Sequence, residues 1–139
     1  HNTKKGAGKD PLPDKVVQQL QLYVSAVAAM HRENPFHNFE HASHVTMSVS
    51  KLLARIVAPD EILNQEEDEA NMAASLHDHT YGITSDPLTQ FGCVLSALIH
   101  DTDHAGVSNM QLIKEKNKMA NFFREKSVAE QNSIVLAWE

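Results

Sequence analysis

One apolar run that ends in a cluster of ionisable residues constrains the fold of this chain more than any other feature. The run 94–99 leads directly into His100-Asp101-Thr102-Asp103-His104. An unpaired charge at the buried end of an apolar helix costs on the order of several kcal/mol, so these side chains need a partner. Neutral imidazole and ionised carboxylate are both ligands of divalent cations at neutral pH. The pattern therefore predicts a helix whose end contributes ligands to a metal site.

The spacing inside this cluster suits one shared site. On a helix, His100 and His104 are four residues apart and share a face, and Asp101 can border the same cavity. The alternative is a helix end whose polar side chains face water, with Gly106 as the stop signal. We favour the metal because a second group of histidines lies upstream.

Histidines are frequent in this chain and concentrated in its middle. Of the nine, eight lie between positions 31 and 104, unlike a terminal tag. His37, His41 and His44 follow one another at spacings of four and three, so a helix beginning here would align them on one face. We interpret His37 and His41 as functional and His44 as a solvated or hydrogen-bonded imidazole. His77-Asp78-His79 precedes turn-rich residues and is interpreted as a capping or hydrogen-bonding element.

Length and charge exclude several classes of protein. A chain of 139 residues that is 42% apolar can bury the core of one domain, and no apolar run is long enough to cross a bilayer. The net charge of −6 and the scattered Lys and Arg residues argue against a nucleic-acid partner. The single cysteine, Cys93, can form no internal disulfide, which fits a reducing compartment and a place in the core.

Helical periodicity and start signals predict an all-α chain, and no strand signal of useful length is present. Residues 1–9 are expected to form a flexible linker or frayed end, and residues 10–139 to form one folded unit. The expected helix boundaries are a start near Asp14, a second helix that begins around the 37–44 histidines and that Ala58-Pro59 closes, an acidic connector over 60–69, a short helical stretch over 71–77, a start at Ser85-Asp86-Pro87, a cap at Ser108 or Asn109, and a capping box at Ser127-Val128-Ala129-Glu130.

Each predicted helix has an apolar face that we expect to be buried. These faces comprise Val16, Leu20 and Val27 in the first helix, Val45, Val49 and Leu53 in the second, Leu88, Phe91, Val94 and Leu98 in the third, Met110 and Ile113 in the next, and Val128, Ile134, Val135 and Trp138 in the last.

Taken in order, the motifs resemble the catalytic domain of the class I cyclic nucleotide phosphodiesterases, members of the HD metallohydrolase superfamily. The family motif His-Asn-x-x-His-Ala reads as His37-Asn38-Phe39-Glu40-His41-Ala42. The motif His-Asp-x-Asp-His reads as residues 100–104, followed by Gly106 and Asn109. A third motif, Ser-Val-x-Glu, reads as residues 127–130. The resemblance covers residues 34–138 and implies an all-α phosphodiesterase domain that is truncated on its C-terminal side.

The resemblance implies two divalent ions and a catalytic acid. His41, His100 and Asp101 would be ligands of a tightly held metal, usually zinc. Asp101 would also bridge to a second ion, usually magnesium, with manganese as an alternative. His37 would be the general acid that protonates the leaving O3′ of the sugar, while a hydroxide between the metals attacks the cyclic phosphate.

Three further residues would orient water, the phosphate or the magnesium hydration sphere: His104, Asn109 and Glu130. Glu130 also has an ordinary structural role as the capping-box partner of Ser127, and the sequence leaves both roles open. The chain departs from the common family pattern at Phe36, His44, Ala105 and Gln131-Asn132-Ser133, where many members have Tyr, Asp, Pro and Asn-His-His.

The function that the resemblance implies is metal-dependent hydrolysis of cAMP or cGMP, or both, to the nucleoside 5′-monophosphate in cyclic-nucleotide signalling. The family's remaining aspartate ligand and its purine-binding glutamine belong to the C-terminal half of the domain. We therefore expect the whole protein to be an enzyme, and this piece alone to bind metal weakly, to expose apolar surface and to be inactive.

Two other functions are weighed against this one. The first is another HD-type phosphohydrolase, which the pairing of His37 with His41 disfavours. The second is a catalytically dead helical sensor or dimerisation module, which has no physical reason to keep buried metal ligands. We expect the segment to be cytoplasmic and to contact no membrane. A membrane tether elsewhere in the protein, fusion to regulatory or cyclase domains, and a homodimer all stay open.

Overall fold

A computed structural model describes residues 11–57, 77 and 79–139 of the chain. The regular structure of these residues is helical and contains no strand, which confirms the all-α prediction. The helices with described bounds are α1 Asp14–Met30, α2 Phe39–Val57, α3 Pro87–Ile99, α4 Asn109–Lys114, α5 Lys118–Phe122 and α6 Val128–Trp138.

Several predictions fall outside the described residues. These are the flexible linker over 1–9, the closure of the second helix at Ala58-Pro59, the acidic connector over 60–69, the helical stretch over 71–76, and any role of Asp78.

The predicted start of α3 is correct. The Asp86 carboxylate accepts hydrogen bonds from the backbone N–H groups of Leu88 and Thr89, both at 3.1 Å, and Pro87 occupies the first helical position. Ser108 caps α4 in the same way, through its hydroxyl oxygen. In both places a short polar side chain satisfies donors that a helix leaves unpaired at its N-terminus.

The start of α2 lies later than the histidine spacing predicted. Asn38 precedes the helix, and its side-chain oxygen accepts a hydrogen bond from the backbone N–H of His41 at 3.0 Å. His37 therefore lies in the bend before Phe39, outside the helix. The expectation that His37, His41 and His44 share one helical face is wrong, because an asparagine cap sets the boundary between them.

The end of α3 is also earlier than expected. The helix stops at Ile99, residues 100–103 form turns and a bend follows at Gly106, with φ of 59° at Asp103 and 76° at Gly106. These left-handed values cannot continue a right-handed helix. His100 and His104 therefore do not share a helical face, and their proximity depends on the turns.

The capping box predicted for the last helix is wrong. Ser127 adopts a left-handed conformation with φ of 40° and makes no side-chain cap, whereas a capping box needs an extended backbone there. The side-chain oxygen of Asn109 instead accepts a hydrogen bond from the backbone N–H of Ala129 at 2.9 Å. The start of α6 is thus capped by a residue from α4.

The buried core lies between α4, α5 and α6. It is formed by Leu112, Ala120 and Val128, and the chain reversal at Lys116, with φ of 53°, separates the two short helices α4 and α5. Met110, which was expected on the apolar edge of α4, is 79% exposed. A helix of six residues can bury only one of its sides, and here the buried side is the one that carries Leu112.

Helix α1 has the predicted extent but buries little of its predicted face. Val27 is its buried residue, whereas Val16 and Leu20 are exposed. The hydroxyl of Tyr23 donates a hydrogen bond to the backbone oxygen of Ala137 at 3.1 Å, which connects α1 to α6.

Other predicted core positions are also exposed. Leu88 and Phe91 on α3 face solvent, as do Ile134 and Trp138 on α6. Cys93, expected in the core, is half-buried. Within the described part of the chain, none of the helices is long and apolar enough to cross a lipid bilayer.

Candidate active site

Helices α2 and α3 pack against each other and bring three of the predicted ligands together. His41 comes from the first turn of α2, and His100 and Asp101 come from the turn that follows α3. One ligand atom from each lies within 4.8 Å of the other two. Oδ2 of Asp101 is 3.1 Å from Nε2 of His100 and 3.6 Å from Nε2 of His41.

The hydrogen bonding of His100 shows that this group fits a cation. Nδ1 of His100 lies 2.8 Å from the backbone oxygen of Ala97, which can only accept, so Nδ1 carries the proton. In the neutral ring Nε2 then presents a lone pair to the Asp101 carboxylate. Two lone pairs facing each other at 3.1 Å are favourable only when a metal ion or a proton lies between them.

The donor set of this group also suits a divalent metal. Two imidazole nitrogens and one carboxylate oxygen are common zinc ligands. Asp101 is only 8% exposed, so its charge needs compensation. The two histidines are partly exposed, which leaves one side of the group open to solvent or substrate.

A second group of potential ligands shares Asp101 with the first. The rings of His37 and His104 are stacked, with centroids 3.8 Å apart and an angle of 22° between the planes. One ligand atom from each of these two histidines lies within 4.8 Å of the other and of the Asp101 carboxylate. The side-chain amide of Asn34 donates to the backbone oxygens of both His37 and His104, at 2.8 and 3.2 Å.

The tautomer of His104 differs from that of His100. Nδ1 of His104 accepts a hydrogen bond from the backbone N–H of Gly106 at 3.0 Å, so in the neutral ring the proton is on Nε2. Burial lowers the pKa of His104, and the neighbouring His37 lowers it further. His104 is therefore suited to donate a hydrogen bond from Nε2, whereas His100 is suited to ligate a metal.

Glu130 and Asn109 interact directly. The side-chain amide of Asn109 donates to Oε2 of Glu130 at 2.9 Å, and this hydrogen bond lowers the pKa of the Glu130 carboxyl. The ionised carboxylate in turn favours the protonated form of His104. The structure thus brings Asn109 into contact with Glu130, and the Glu130 carboxylate close enough to His104 to act on its charge.

An ion pair that the sequence did not predict lies beside this site. The guanidinium of Arg32 donates two hydrogen bonds to the Asp103 carboxylate, at 2.6 and 3.0 Å, and lowers the pKa of Asp103. The amide of Asn132 donates to the same carboxylate at 3.1 Å. Arg32 and Asn132 lie far from Asp103 in the sequence, so no sequence pattern indicated these contacts. The one available signal was Asp103 itself, a second carboxylate in the 100–104 cluster that also needs a partner.

The other predicted histidines lie apart from both groups. His44 is exposed on α2 and belongs to neither group. Nδ1 of His77 lies 2.5 Å from the hydroxyl oxygen of Ser85, a local hydrogen bond of the kind expected there.

The described residues form helices joined by turns, and they bring two imidazoles and a carboxylate together beside a pair of stacked histidines. This arrangement defines a helical protein with a candidate metal site. The model of the 3′5′-cyclic nucleotide phosphodiesterase family matches residues 36–139, which is most of the chain. The chain belongs to this family. The match begins just before His37 and includes every predicted site residue.

Individual relatives carry the same family name. A cGMP-specific 3′,5′-cGMP phosphodiesterase from Dictyostelium discoideum is 28% identical over 81% of this chain and 19% of its own length. A 3′,5′-cyclic-AMP phosphodiesterase isoform from Drosophila melanogaster is 30% identical over 78% of this chain and 13% of its own length. A human cGMP-inhibited 3′,5′-cyclic phosphodiesterase is 25% identical over 88% of this chain and 12% of its own length.

The chain spans less than a fifth of the length of these curated relatives. No solved structure gives a significant match.

Proposed function

We propose that the protein containing this chain hydrolyses 3′,5′-cyclic nucleotides to nucleoside 5′-monophosphates, in cyclic-nucleotide signalling, with divalent metals held by His41, His100 and Asp101. The observation that carries the proposal is the approach of Nε2 of His100 to the buried Asp101 carboxylate at 3.1 Å, which needs a metal ion or a proton between the two atoms. Family membership supplies the reaction class. Relatives that act on cAMP and on cGMP are both present, so both nucleotides are tested.

The donor types support zinc as the tightly held ion and magnesium or manganese as a second one. Zinc accepts nitrogen and oxygen ligands together, whereas magnesium and manganese prefer oxygen. A carboxylate has two oxygens that can each bind a cation, so Asp101 is suited to be shared between two ions. When bound, the metals lower the pKa of a coordinated water and neutralise charge on the phosphoryl oxygens.

We assign His37 as the general acid that protonates the leaving O3′ of the ribose. Its ring stacks on His104 and contacts the edge of Phe36, with centroids 4.9 Å apart. Because Asn34 binds the backbone next to both stacked rings, the position of His37 relative to Asp101 is restrained. An imidazole held next to the ligand group can deliver a proton there, and this type of catalysis contributes about 10²–10⁴-fold.

We assign His104, Asn109 and Glu130 to orienting water or the phosphate. Nε2–H of His104 can donate a hydrogen bond toward a phosphoryl oxygen or a water. The ionised Glu130 carboxylate, held by the Asn109 amide, can accept from a water in the same region. These roles require no direct ligation of a metal.

For this 139-residue piece alone we propose weak metal binding and little or no activity, because the family resemblance implies a fourth protein ligand, an aspartate, beyond His41, His100 and Asp101. We further propose that the segment acts in the cytoplasm on a small-molecule nucleotide and binds no nucleic acid. Fusion to regulatory or cyclase domains and a homodimer remain compatible with this proposal.

The proposal is tested by measuring cAMP and cGMP hydrolysis by the complete protein, with zinc and magnesium supplied. Beside the wild type, His37→Ala and Asp101→Ala are expected to lose at least about 10²-fold in kcat. The matched control is His44→Ala, an exposed histidine of α2 outside both ligand groups, which should retain activity.

The alternatives predict other results. A complete protein that binds metal, hydrolyses neither nucleotide and cleaves another phosphodiester would identify a different HD-type phosphohydrolase. A protein that binds metal and cleaves no phosphodiester would support the sensor or dimerisation module.

A further inference from the structure

Residues 102–104, which directly follow the predicted ligand Asp101, are held by side chains from other parts of the chain. The hydroxyl oxygen of Ser133 on α6 lies 2.9 Å from the backbone oxygen of Thr102 and 3.0 Å from that of Ala129, so its single proton is shared between these two carbonyls. Thr102 and Ser133 both have no exposed surface. The contact is therefore a buried hydrogen bond between α6 and the backbone next to Asp101.

The next residue is held from two sides. The Asp103 carboxylate receives two hydrogen bonds from the Arg32 guanidinium and one from the Asn132 amide. Asp103 has φ of 59°, a conformation that residues other than glycine seldom adopt. Arg32 precedes α2, and Asn132 lies in α6 next to Ser133. Both elements must keep their places for Asp103 to keep all three hydrogen bonds.

Local backbone bonding cannot replace these contacts. The N–H of Thr102 donates to Ile99, and the N–H of His104 donates to Asp101, both at 3.0 Å. Such bonds fix the internal shape of a turn, but they do not fix how the turn is oriented against α2. The orientation matters because the Asp101 carboxylate must reach His41 on that helix.

We propose that Arg32, Asn132 and Ser133 are positioning residues that fix the 102–104 segment, so that Asp101 keeps its distance from His41. The consequence for metal binding rests on the function proposed above, whereas the positioning of the segment does not. Second-sphere contacts of this kind typically change metal affinity by about 10–100-fold when removed.

The side chains of Asn132 and Ser133 are suited to positioning the 102–104 segment. Asn132 and Ser133 are neighbours on α6, and both bind the 102–104 segment. A carboxamide and a hydroxyl do not titrate at physiological pH, so their hydrogen bonds to the segment do not depend on protonation. Arg32 is likewise charged at every physiological pH, and its planar group matches the carboxylate in two places.

The test compares Asn132→Ala and Ser133→Ala with a matched control, Gln131→Ala. Gln131 lies on the same turn of α6, but its amide donates to the backbone oxygen of Lys126, away from the segment. Arg32→Lys adds a variant that keeps the charge and loses the paired geometry. All variants are compared at equal fraction folded, using their own thermal transitions.

The first readout is amide hydrogen exchange of the metal-free chain. In Asn132→Ala and Ser133→Ala, exchange at the N–H groups of Thr102 and His104 should be faster by about tenfold, the loss expected for one buried hydrogen bond. Exchange within α2 should not change, and Gln131→Ala should match the wild type throughout. Unchanged exchange at the segment in both variants would overturn the proposal.

The second readout is Co²⁺, used as a spectroscopic probe of the ligand group. Asn132→Ala and Ser133→Ala should bind Co²⁺ about 10–100-fold more weakly, with altered visible absorption bands, and Gln131→Ala should not. A lower Tm with unchanged Co²⁺ affinity and bands would mean a structural role only and would overturn the proposal. If the complete wild-type protein binds no Co²⁺, the proposed metal site is wrong, and the hydrogen-exchange result alone decides whether these residues position the segment.

Discussion

At the scale of single residues, hydrogen-bond partners give two histidines of one motif opposite chemistry. His100 donates from Nδ1 to a helix carbonyl, which leaves Nε2 as a ligand atom, whereas His104 accepts at Nδ1 from the Gly106 amide, which leaves Nε2–H as a donor. The sequence could not predict this difference because both residues read alike in a His-Asp-x-Asp-His pattern. Only the turns after Ile99 determine which ring nitrogen meets which backbone group.

The two tautomers can be measured directly. We expect ¹⁵N chemical shifts of the imidazoles in the metal-free chain at alkaline pH to identify His100 as the Nδ1–H form and His104 as the Nε2–H form. Zinc should then shift Nε2 of His100 and leave the His104 tautomer unchanged. His44, which is exposed and outside both groups, is the internal control. Finding His104 protonated at Nδ1 would contradict the assignment of the two roles.

At the scale of helices, two helix starts were predictable because the capping residue directly precedes the helix in a recognisable start pattern. Asp86 and Ser108 cap α3 and α4 as their patterns indicated. The start of α6 was not predictable, because its cap is Asn109, some 20 residues upstream, and Ser127 is left-handed. A capping-box pattern specifies residue types but not the backbone conformation that they need.

The cap of α6 yields a stability prediction. Asn109→Ala should lower the free energy of unfolding by about 0.5–2 kcal/mol, because the N–H of Ala129 loses its acceptor. Ser127→Ala should change it by much less, since this hydroxyl makes no capping bond. Both values come from urea unfolding followed by circular dichroism. If both variants lost the same free energy of unfolding, the hydroxyl of Ser127 would contribute to the cap as the capping-box prediction requires.

The cap of α3 yields a prediction about pH. Hydrogen bonds from Thr89 and Leu88 lower the pKa of Asp86 below 3.8 in the folded chain. A carboxyl with a depressed folded pKa contributes stability that is complete above the unfolded value and is lost as pH falls through the folded value. We therefore expect wild type to exceed Asp86→Asn in Tm at neutral pH, and the difference to disappear well below pH 3.8.

Asn is a suitable comparison because it keeps a capping oxygen but does not titrate. The measurement is thermal unfolding of both proteins across this pH range. A difference in Tm that stays constant down to the lowest pH would show that the charge of Asp86 contributes nothing.

At the scale of the whole molecule, the sequence predicted the helical class and the grouping of His41, His100 and Asp101, but not which apolar faces are covered. Periodicity shows that Val16, Leu88 and other positions line one side of a helix. It does not show whether a neighbour lies against that side. In the described residues the core is small and is centred on Leu112, Ala120 and Val128, away from most of the predicted faces.

The exposed faces predict how the chain behaves in solution. Trp138 is 92% exposed, and Leu88 and Phe91 are exposed on α3, so apolar surface is open on two different helices. We expect concentration-dependent association in light scattering, binding of a hydrophobic dye, and tryptophan emission typical of an indole in water in the dilute monomer. A double variant, Leu88→Lys with Trp138→Lys, should associate less without losing helix content, because neither residue is buried.

A matched double variant at exposed polar sites, Gln18→Lys with Gln131→Lys, adds the same two positive charges without removing apolar surface. If the wild-type chain is instead a monodisperse monomer with a sharp two-state transition and no dye binding, its apolar faces are tolerated in water. The small core would then be sufficient for an independent fold, and the weak metal binding expected of the piece would have to be explained by its incomplete ligand set alone.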